Sequence, residues 1–331
     1  MSSVSSESSV SSESSVSSEL SRYSAKIFSK VNPYYKDYSE YLRERFGEVK
    51  VQKLSVDAGF SCPNRDGTIS RGGCIYCDNR SFTPSYCDPA DGVARQLAEG
   101  KRFFARKYPQ MKYLAYFQSF TGTHARALPA LRALYEEAAS QPDIVGLIIG
   151  TRPDALPDGV VNMLAELNRR LPVIVEIGAE TSHDRTLSLV NRCHTWSDVE
   201  EAVKRLDNVG IESGLHLIAG LPGEDDDDVL TTVERALQLP VATLKLHQLQ
   251  VVAGTPLYRM MERGEIAVNP YDLDSYLDLC VRVVERVREL RPDVALERFV
   301  AQAPPEMVVA PKWGIKNYQF VNLLHRRLSK S

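Results

Sequence analysis

The stretch CPNRDGTISRGGCIYC, residues 62–77, decides how this chain is interpreted. It contains Cys62, Cys74 and Cys77 in the spacing C-x11-C-x2-C. The chain of 331 residues has only six cysteines, so half of them lie in this short segment. Because the cysteines are surrounded by glycines and polar residues, the segment contains little that could form a core. We therefore interpret it as a metal-binding loop.

Two kinds of metal site are compatible with these cysteines. Three thiolates can bind three irons of a cubane iron–sulfur cluster and leave the fourth iron open for a substrate or cofactor. A structural zinc site needs four closed ligands, and Cys87 is available as the fourth. Cys87 stands alone, however, whereas a zinc ribbon normally supplies a second pair. The pattern favours an iron–sulfur cluster over zinc, and Cys193 and Cys280 are interpreted as packing residues.

Composition indicates a soluble globular protein, with 43% apolar and 25% charged residues and a formal net charge of -3. This charge does not favour a globally basic nucleic-acid binder. Repeats of SSVSSE predict a disordered Ser-rich tail over residues 1–20, followed by a helical lead-in over 21–48. The tail lacks the basic and apolar regions of a secretory signal, so we expect a cytoplasmic protein with no membrane partner.

From residue 49 onward, short β-branched or aromatic runs alternate with helical patterns. Strands are predicted at 49–56, 113–117, 144–149, 173–177, 215–219 and 244–251, with helices at about 89–107, 125–140, 157–170, 196–209 and 226–239. These alternations predict a parallel α/β sheet, either doubly wound or barrel-like. Helices at 254–264 and 271–290, a strand at 295–300 and an amphipathic segment at 312–330 follow. Because the cysteines come directly after the first strand, chemistry is expected at the carboxyl ends of the strands.

The cysteine segment, with Tyr76 before its last cysteine, resembles the cluster loop of radical S-adenosylmethionine (SAM) enzymes. The resemblance is closest to the YhcC/YtqA-type branch, and more distant to the catalytic subunit of Elongator and to oxygen-independent coproporphyrinogen oxidase. It covers residues 34–318 approximately; the long spacer between the first two cysteines is typical of this branch. It implies a partial (β/α)6 TIM-like barrel of the radical SAM type, with a core domain over 49–293 and a mainly helical C-terminal extension over 294–331.

The resemblance also implies the cofactors and the reaction. A single 4Fe-4S cluster on Cys62, Cys74 and Cys77 would cleave SAM to a 5'-deoxyadenosyl radical, which abstracts hydrogen from the substrate. The implied partners are a modified wobble uridine of tRNA as substrate and an electron donor such as flavodoxin or ferredoxin. No acetyltransferase domain like that of Elongator is expected, so an existing side chain would be modified. The alternatives are a small-metabolite substrate, or a non-catalytic, metal-stabilised RNA-binding module.

Two polar motifs follow the second and third strands. In YFQSFTGT, residues 116–123, Gln118, Ser119 and Thr121 stand where the superfamily binds the methionine amino group, usually with Gly-Gly-Glu. The alternative is a polar loop in which Thr123 caps the next helix. In GTRPD, residues 150–154, the fork of Arg152 suits a carboxylate or phosphate of the cofactor, and surface capping is the alternative.

Two further motifs follow the fourth and fifth strands. In EIGAETSHDRTLSLVNR, residues 176–192, the resemblance implies that Glu180 accepts from the SAM ribose and that Arg192 pairs with the methionine carboxylate. Relatives often carry Gln at the position of Glu180, and a surface salt bridge is the alternative. In HLIAGLPGED, residues 216–225, His216 is either a cofactor contact or a packed histidine.

The sixth strand and the C-terminus contain the last candidates. Lys245 and His247 fall on one side of a strand and are candidate catalytic residues if that side is the barrel interior. Otherwise they are paired core or rim groups. Near the C-terminus, basic residues interleave with aromatic ones: Lys312, Lys316, Arg326, Arg327 and Lys330 with Trp313, Tyr318 and Phe320. This composition suits RNA contact, and a packed terminal helix with solvated lysines is the alternative.

Overall fold

The structure is a computed structural model that describes residues 32–105, 110–124 and 126–330. The predicted Ser-rich tail over 1–20 and the first part of the lead-in, residues 21–31, lie outside the described residues. The elements below all belong to the unit that begins at Tyr34. In these ranges, no helix combines the length and the apolar character needed to cross a membrane.

A parallel sheet forms the centre of the fold. Its strands are β1 (Val51–Val56), β2 (Lys112–Phe117), β3 (Ile144–Thr151), β4 (Val173–Glu180), β5 (Glu212–Ala219), β6 (Thr243–Gln248) and β8 (Ala295–Arg298). The strand order is β1-β2-β3-β4-β5-β6-β8, and each neighbouring pair is parallel. A doubly wound sheet reverses its order at a switch point, whereas a barrel winds sequentially. The order therefore identifies a partial barrel, whose edges are β1 and β8.

Helices follow the strands as the sequence alternation predicts. They are α1 (Tyr38–Phe46), α2 (Pro63–Asp66), α3 (Val93–Ala105), α4 (Leu128–Ala139), α5 (Asp158–Asn168), α6 (Asp184–Leu189), α7 (Trp196–Asp207), α8 (Asp226–Leu237), α9 (Pro256–Glu262), α10 (Leu273–Leu290) and α11 (Asn317–Leu328). The predicted sixth strand is too long, since it ends at Gln248. The short strands β7 (Val251–Val252) and β9 (Val308–Ala310) pair separately and antiparallel. The partial barrel also has a seventh strand, β8, which pairs with β6.

The two faces of the sheet bury different residues. One set of alternate strand residues, such as Leu54 and Phe117, packs under the helices in the main core. The other set includes Leu114, Ile148 and Ile174, which pack against Tyr41 and Leu42 of α1 in a separate cluster. We call this second face the concave face. Helix α1 fills its amino-terminal half, because Tyr41 also donates a hydrogen bond to Glu212 at the start of β5.

The basic and aromatic C-terminal segment is a packed helix with a solvated face. Phe320 is fully buried, and Trp313 stacks on it and donates from its indole nitrogen to the Tyr271 carbonyl at 3.1 Å. Arg327 pairs with Asp274 and Asp278 of α10. Of its basic and aromatic side chains, those that remain exposed are Lys312, Lys316, Tyr318, Arg326 and Lys330. Trp313 and Phe320 therefore pack in the core, as the alternative of a packed terminal helix predicts, and only Tyr318 of the three aromatic residues is exposed.

Candidate active site

The cysteine loop is shaped by glycines and by one arginine. Cys62 precedes Pro63 at the first position of α2, where proline fits a helix start. Gly67 and Gly73 then adopt φ of 94° and 79°, which side chains rarely tolerate. A Cβ on Gly73 would lie 2.8 Å from Arg65 Nε. Arg65 donates to the Cys77 carbonyl at 2.6 Å, so the guanidinium holds the two ends of the loop together.

A second segment is tied to this loop. The Asn64 amide donates to the Asn191 carbonyl at 2.5 Å, and the Asn191 amide donates to the Gly73 carbonyl at 2.8 Å. Asn191 itself adopts a positive φ of 54°. These contacts bring Arg192 beside the loop, with Nη1 at 3.7 Å from Cys74 Sγ.

A cavity of about 260 Å³ opens at the carboxyl ends of the strands and is lined by all three cysteines of the loop. The other predicted site residues that line it are Gln118, Thr121, Arg152, Glu180, Arg192, His216, Lys245 and His247. Ser119 is the predicted residue that does not line this cavity: it is buried with its Oγ 3.5 Å from Thr83 Oγ1. We call this space the active-site cavity.

Glu180 and Arg192 form a buried pair on one wall. Glu180 has a positive φ of 67° at a register shift in β4, a strained conformation of the kind found at functional sites. Arg192 Nη2 lies 3.3 Å from Glu180 Oε1 and donates to the Gly178 carbonyl at 2.6 Å. The side chains of Arg192 and Glu180 are only 8% and 13% exposed, respectively, so the alternative of a surface salt bridge is wrong. Nε of Arg192 is buried without a hydrogen-bond partner.

Arg152 is also buried, so the alternative of surface capping is wrong for this residue. Its Nε and Nη2 donate to Asp154 at 2.8 Å and 2.7 Å, and Nη2 also donates to the Arg192 carbonyl at 2.8 Å. Its Nη1 is buried without a partner. Two arginines of the cavity thus each keep one buried donor unused.

The buried hydroxyls of Thr121 and Thr123, two residues apart, differ in their hydrogen bonding. Thr121 is buried and lines the cavity, but its hydroxyl has no hydrogen-bond partner. The Thr123 hydroxyl lies 2.6 Å from Thr151 Oγ1 and donates to the Ala155 carbonyl at 2.5 Å. Helix α4 has Ala127 at its N-cap, so the alternative in which Thr123 caps this helix is wrong.

Below the cavity lies a layer of buried charges that the sequence analysis missed in part. Glu176 of β4 accepts hydrogen bonds from Tyr116 at 2.6 Å and from Lys53 at 2.5 Å, and lies 2.7 Å from His216 Nε2. Burial by itself would raise the pKa of Glu176, but Lys53 and Lys245 hold it well below its usual range. His216 is therefore paired with a carboxylate while it lines the cavity.

The same layer connects the edges of the open sheet. Lys53 of β1 donates to Glu297 of β8 at 2.7 Å. Lys245 lies 3.6 Å from a carboxylate oxygen of both Glu176 and Glu297, and burial lowers its pKa. Lys53, Glu176 and Glu297 were not predicted as site residues. Their signal is a charged residue inside a strand of a parallel sheet, where apolar runs are expected.

His247 is a neutral acceptor in the cavity. Its Nδ1 lies 3.3 Å from the Gln248 carbonyl, which can only accept, so Nδ1 carries the proton and Nε2 carries the lone pair. Burial, with a contribution from Arg298, lowers the pKa of His247 to about 3. The ring is therefore uncharged near neutral pH.

The side chains of the loop fit a cluster better than a single metal ion. Within the described ranges, no three His, Cys, Asp or Glu side chains converge as ligands of one ion. In a cubane, each cysteine binds a different iron, so the thiolates surround the cluster instead of converging. Burial raises the pKa of Cys77 to about 12, so its thiolate needs a cationic partner such as iron. Cys87 points elsewhere: its thiol donates to the Ser55 carbonyl at 3.2 Å.

A sequentially wound partial barrel with a cysteine loop and buried polar groups at the carboxyl ends of its strands defines an enzyme with a metal cofactor. Comparison with protein families agrees. Residues 66–236 match the model of the Radical SAM superfamily, and residues 241–330 match the Radical_SAM C-terminal domain. The chain belongs to the radical SAM superfamily and is a radical SAM enzyme. The cofactors of this family are a 4Fe-4S cluster and SAM.

Two curated relatives confirm the predicted branch. The chain is 36% identical over 301 residues to the uncharacterized protein YtqA of Bacillus subtilis, covering 91% of each chain. It is 38% identical over 273 residues to protein YhcC of Escherichia coli, covering 82% of this chain and 85% of the relative.

More distant proteins share part of the chain. A tRNA uridine(34) acetyltransferase of Methanocaldococcus jannaschii is 25% identical over 216 residues, which cover 64% of this chain and 37% of the relative. The structure of Elp3 from Methanocaldococcus infernus superposes with a TM-score of 0.59 and 18% identity, covering 85% of this chain and 63% of that chain. This second similarity confirms the fold class, a radical SAM partial barrel with a mainly helical C-terminal region.

Proposed function

We propose that Cys62, Cys74 and Cys77 hold a single 4Fe-4S cluster at the mouth of the active-site cavity, and that SAM and a substrate bind beside it. The observation that carries this proposal is the convergence of the three cysteines with eight polar or charged predicted residues on one cavity. When bound, the reduced cluster supplies the electron that cleaves SAM to methionine and a 5'-deoxyadenosyl radical, which abstracts a hydrogen atom from the substrate.

The unused donors of the cavity suit the amino-acid end of SAM. Arg192 Nε and Arg152 Nη1 are buried donors without partners, and such groups are costly unless a ligand satisfies them. We assign them to the methionine carboxylate. The unpartnered Thr121 hydroxyl and the Gln118 side chain, with Ser119 behind them, are assigned to the amino group.

Acceptors on the neighbouring strands suit the nucleoside end. Glu180 lines the cavity next to Arg192 and has a carboxylate that ribose hydroxyls can donate to. His216 projects from the next strand, held by Glu176, and is assigned to the same cofactor. Both residues are therefore proposed as cofactor-binding residues.

Lys245 and His247 are the proposed catalytic residues, because both line the cavity from β6. His247 is neutral and presents a lone pair on Nε2, so it can accept a proton from a substrate N–H or O–H. Lys245 has a pKa lowered by burial and can hold or release a proton at Nζ. Both can thus control protons on the substrate during the radical reaction.

The proposed substrate is a modified wobble uridine of tRNA. The tRNA uridine(34) acetyltransferases supply the first argument, because they share a large part of this chain. The second argument is an aromatic rim, which we define as Phe82, Phe103 and Phe120; their exposed fractions are 39%, 71% and 38%. Phe82 and Phe120 line the cavity. Exposed aromatic rings stack on unpaired RNA bases.

The test is SAM cleavage by the full chain. The protein is purified without oxygen, reconstituted with iron and sulfide, and reduced either with dithionite or with an electron donor such as flavodoxin or ferredoxin. We expect 5'-deoxyadenosine to form, and the triple variant Cys62→Ala, Cys74→Ala, Cys77→Ala to form none. Absence of cleavage by a fully reconstituted wild-type protein would contradict the proposal.

The substrate is tested in the same preparation. Deuterated total tRNA, from cells grown in heavy water, is compared with a deuterated small-metabolite extract. Transfer of deuterium into 5'-deoxyadenosine from the tRNA, lost after ribonuclease treatment, is the expected result. Transfer from the metabolite extract alone would replace tRNA with a small molecule as the substrate.

A further inference from the structure

Arg298 stands at the junction of two spaces. It is the last residue of the edge strand β8, and its side chain lines both the active-site cavity and a neighbouring space of about 1040 Å³. We call this second space the side groove. It is lined by residues that include Lys53 of β1, Tyr86 of the segment before α3, and Phe103 of α3. A substrate that occupies either space can therefore reach the guanidinium of Arg298.

The charge of Arg298 has no direct carboxylate partner. In the described part of the chain, Arg298 makes no ion pair within 4.0 Å. The nearby carboxylates are Glu176 and Glu297, and these are bound by Lys53 and Lys245. The negative charges of these two carboxylates are therefore matched by the two lysines and not by Arg298.

The two arginines assigned to SAM differ in this respect. Arg152 is paired with Asp154, and Arg192 with Glu180. Arg65 also makes no described ion pair, but it is used inside the cysteine loop, where it donates to the Cys77 carbonyl. The described hydrogen bonds of Arg298 go to Val300 and Gln302 and not to this loop. Its positive charge is therefore available to a group that binds in the cavity.

The guanidinium of Arg298 is held in place by neutral groups. Nε donates to the Val300 carbonyl at 2.7 Å, and Nη2 donates to Gln302 Oε1 at 3.3 Å. Nη1 makes no hydrogen bond to any residue that the structure describes. Held on one edge and free at Nη1, the guanidinium is pre-organised for a ligand.

The wall that includes Arg298 is itself fixed. The amides of Ala301 and Ala303 donate to the side chains of Gln248 and Gln250, at 3.0 Å and 3.1 Å. The adjacent His247 is uncharged near neutral pH, so it neither adds to nor cancels the positive charge of Arg298.

We propose that Arg298 binds an anionic group of the substrate, a carboxylate or a phosphate. Both groups match the fork of a guanidinium and form charge-assisted hydrogen bonds with it. This inference rests on the proposed function, because it concerns the substrate of the same cavity. It adds the chemical class of substrate group and the residue that recognises it.

The test is binding of small anionic probes to the reconstituted full chain with SAM present, measured by isothermal titration calorimetry. Uridine 5'-monophosphate against uridine tests a phosphate, and 5-carboxyuracil against uracil tests a carboxylate. We expect one anionic probe to bind roughly tenfold or more tightly than its neutral counterpart. Arg298→Gln is expected to remove this preference, Arg298→Lys to keep part of it, and Arg288→Gln, at an exposed position of α10, to keep all of it.

The pair of probes that shows the preference identifies the recognised group as a phosphate or a carboxylate. Equal binding of anionic and neutral probes by the wild type, or a preference that survives in Arg298→Gln, would overturn the proposal. Thermal melts check that each variant is folded, and the wild-type comparison is independent of any variant. SAM cleavage by the wild type is measured separately, so failure of anion recognition is distinguishable from failure of the proposed function.

Discussion

The two halves of the concave face come from the same strands but do different work. In the amino-terminal half, Leu114, Ile148 and Ile174 are buried against α1 and form a closed apolar cluster. In the carboxyl-terminal half, Gly150 and Gly178 leave room, and polar side chains line a cavity with unused donors. The first half is arranged for stability, whereas the second keeps polar groups that are costly without a ligand.

The layer of charges around Glu176 separates these halves. Its members carry charge, and Glu176 is as buried as the apolar cluster below it, whereas the side chains of Lys53 and Glu297 are 14% and 10% exposed. It also joins β1 to β8 through Lys53 and Glu297, where the sheet has no backbone pairing. The comparison therefore predicts that substitutions in the apolar half, in the charged layer and in the cavity half change different measured quantities.

The largest effect is expected in the charged layer. Glu176→Gln removes one of the two carboxylates that Lys53 and Lys245 share, and breaking a buried ion pair in this way costs about 3–5 kcal/mol. Urea unfolding at pH 7 measures this loss. Glu285→Gln, at an exposed position of α10, is the control and should stay within about 0.5 kcal/mol of the wild type. A loss below 1 kcal/mol would contradict the importance of this layer.

The pH dependence of the same variant gives a second readout. The folded-state pKa of Glu176 is lowered, so its contribution is present above the unfolded pKa of about 4.3. It is lost as the pH falls through the folded pKa. The stability difference between wild type and Glu176→Gln should therefore shrink below about pH 4.

The apolar half should lose stability without losing chemistry. Leu114→Ala removes a fully buried side chain, for which a loss of about 3 kcal/mol is expected. SAM cleavage per folded molecule, measured well below the midpoint of unfolding, should be unchanged because Leu114 does not line the active-site cavity. Leu128→Ala, at a position 38% exposed, is the matched control and should cost much less. Loss of SAM cleavage in folded Leu114→Ala would break the distinction between the halves.

The cavity half should lose chemistry without losing much stability. A Cβ on Gly178 would lie 2.6 Å from Arg192 Nη2 and 2.8 Å from Glu180 Oε1. Because these atoms are the ends of flexible side chains, Gly178→Ala should displace them and leave the fold intact. We expect SAM to bind about tenfold more weakly, which corresponds to about 1.4 kcal/mol. Gly159→Ala in α5, where a Cβ makes only an ordinary contact, should leave binding unchanged.

The smallest effect is expected at the unpartnered hydroxyl. Thr121→Val removes a buried hydroxyl without a partner, so the cofactor-free protein should gain up to about 1 kcal/mol in stability while SAM binds more weakly. Thr123→Val removes two hydrogen bonds and should destabilise the protein by about 1 kcal/mol. Equal destabilisation by both variants would show that Thr121 is an ordinary structural residue.

Much of the fold could be predicted from the sequence because its signals are local. Period and length separate the strands from the helices, and the chain order of the strands is also their order in the sheet. The cysteine loop and the motifs after the strands are equally local, and every predicted site residue except Ser119 lines the cavity. The exposed and buried aromatic residues near the C-terminus are less clear, since Trp313 and Tyr318 look alike in sequence but differ in burial.

The charged layer could not be predicted from local signals. Lys53 and Glu297 are 244 residues apart in sequence, and they meet only because the sheet curves until its edges approach. Nothing in either strand indicates how far the sheet curves or which charges it pairs. The unused donors of Arg152, Arg192 and Thr121 are likewise properties of the packed structure.

The most direct test of the central claim is Mössbauer spectroscopy of the reconstituted, iron-57-labelled protein, with and without SAM. If the three cysteines of the loop hold a 4Fe-4S cluster, the account predicts four irons per chain and one iron site whose spectrum changes when SAM is added. Cys87→Ala should retain both features, and Cys74→Ala should lose the cluster. A cluster whose four irons all ignore SAM, or stoichiometric zinc in place of iron, would contradict the account.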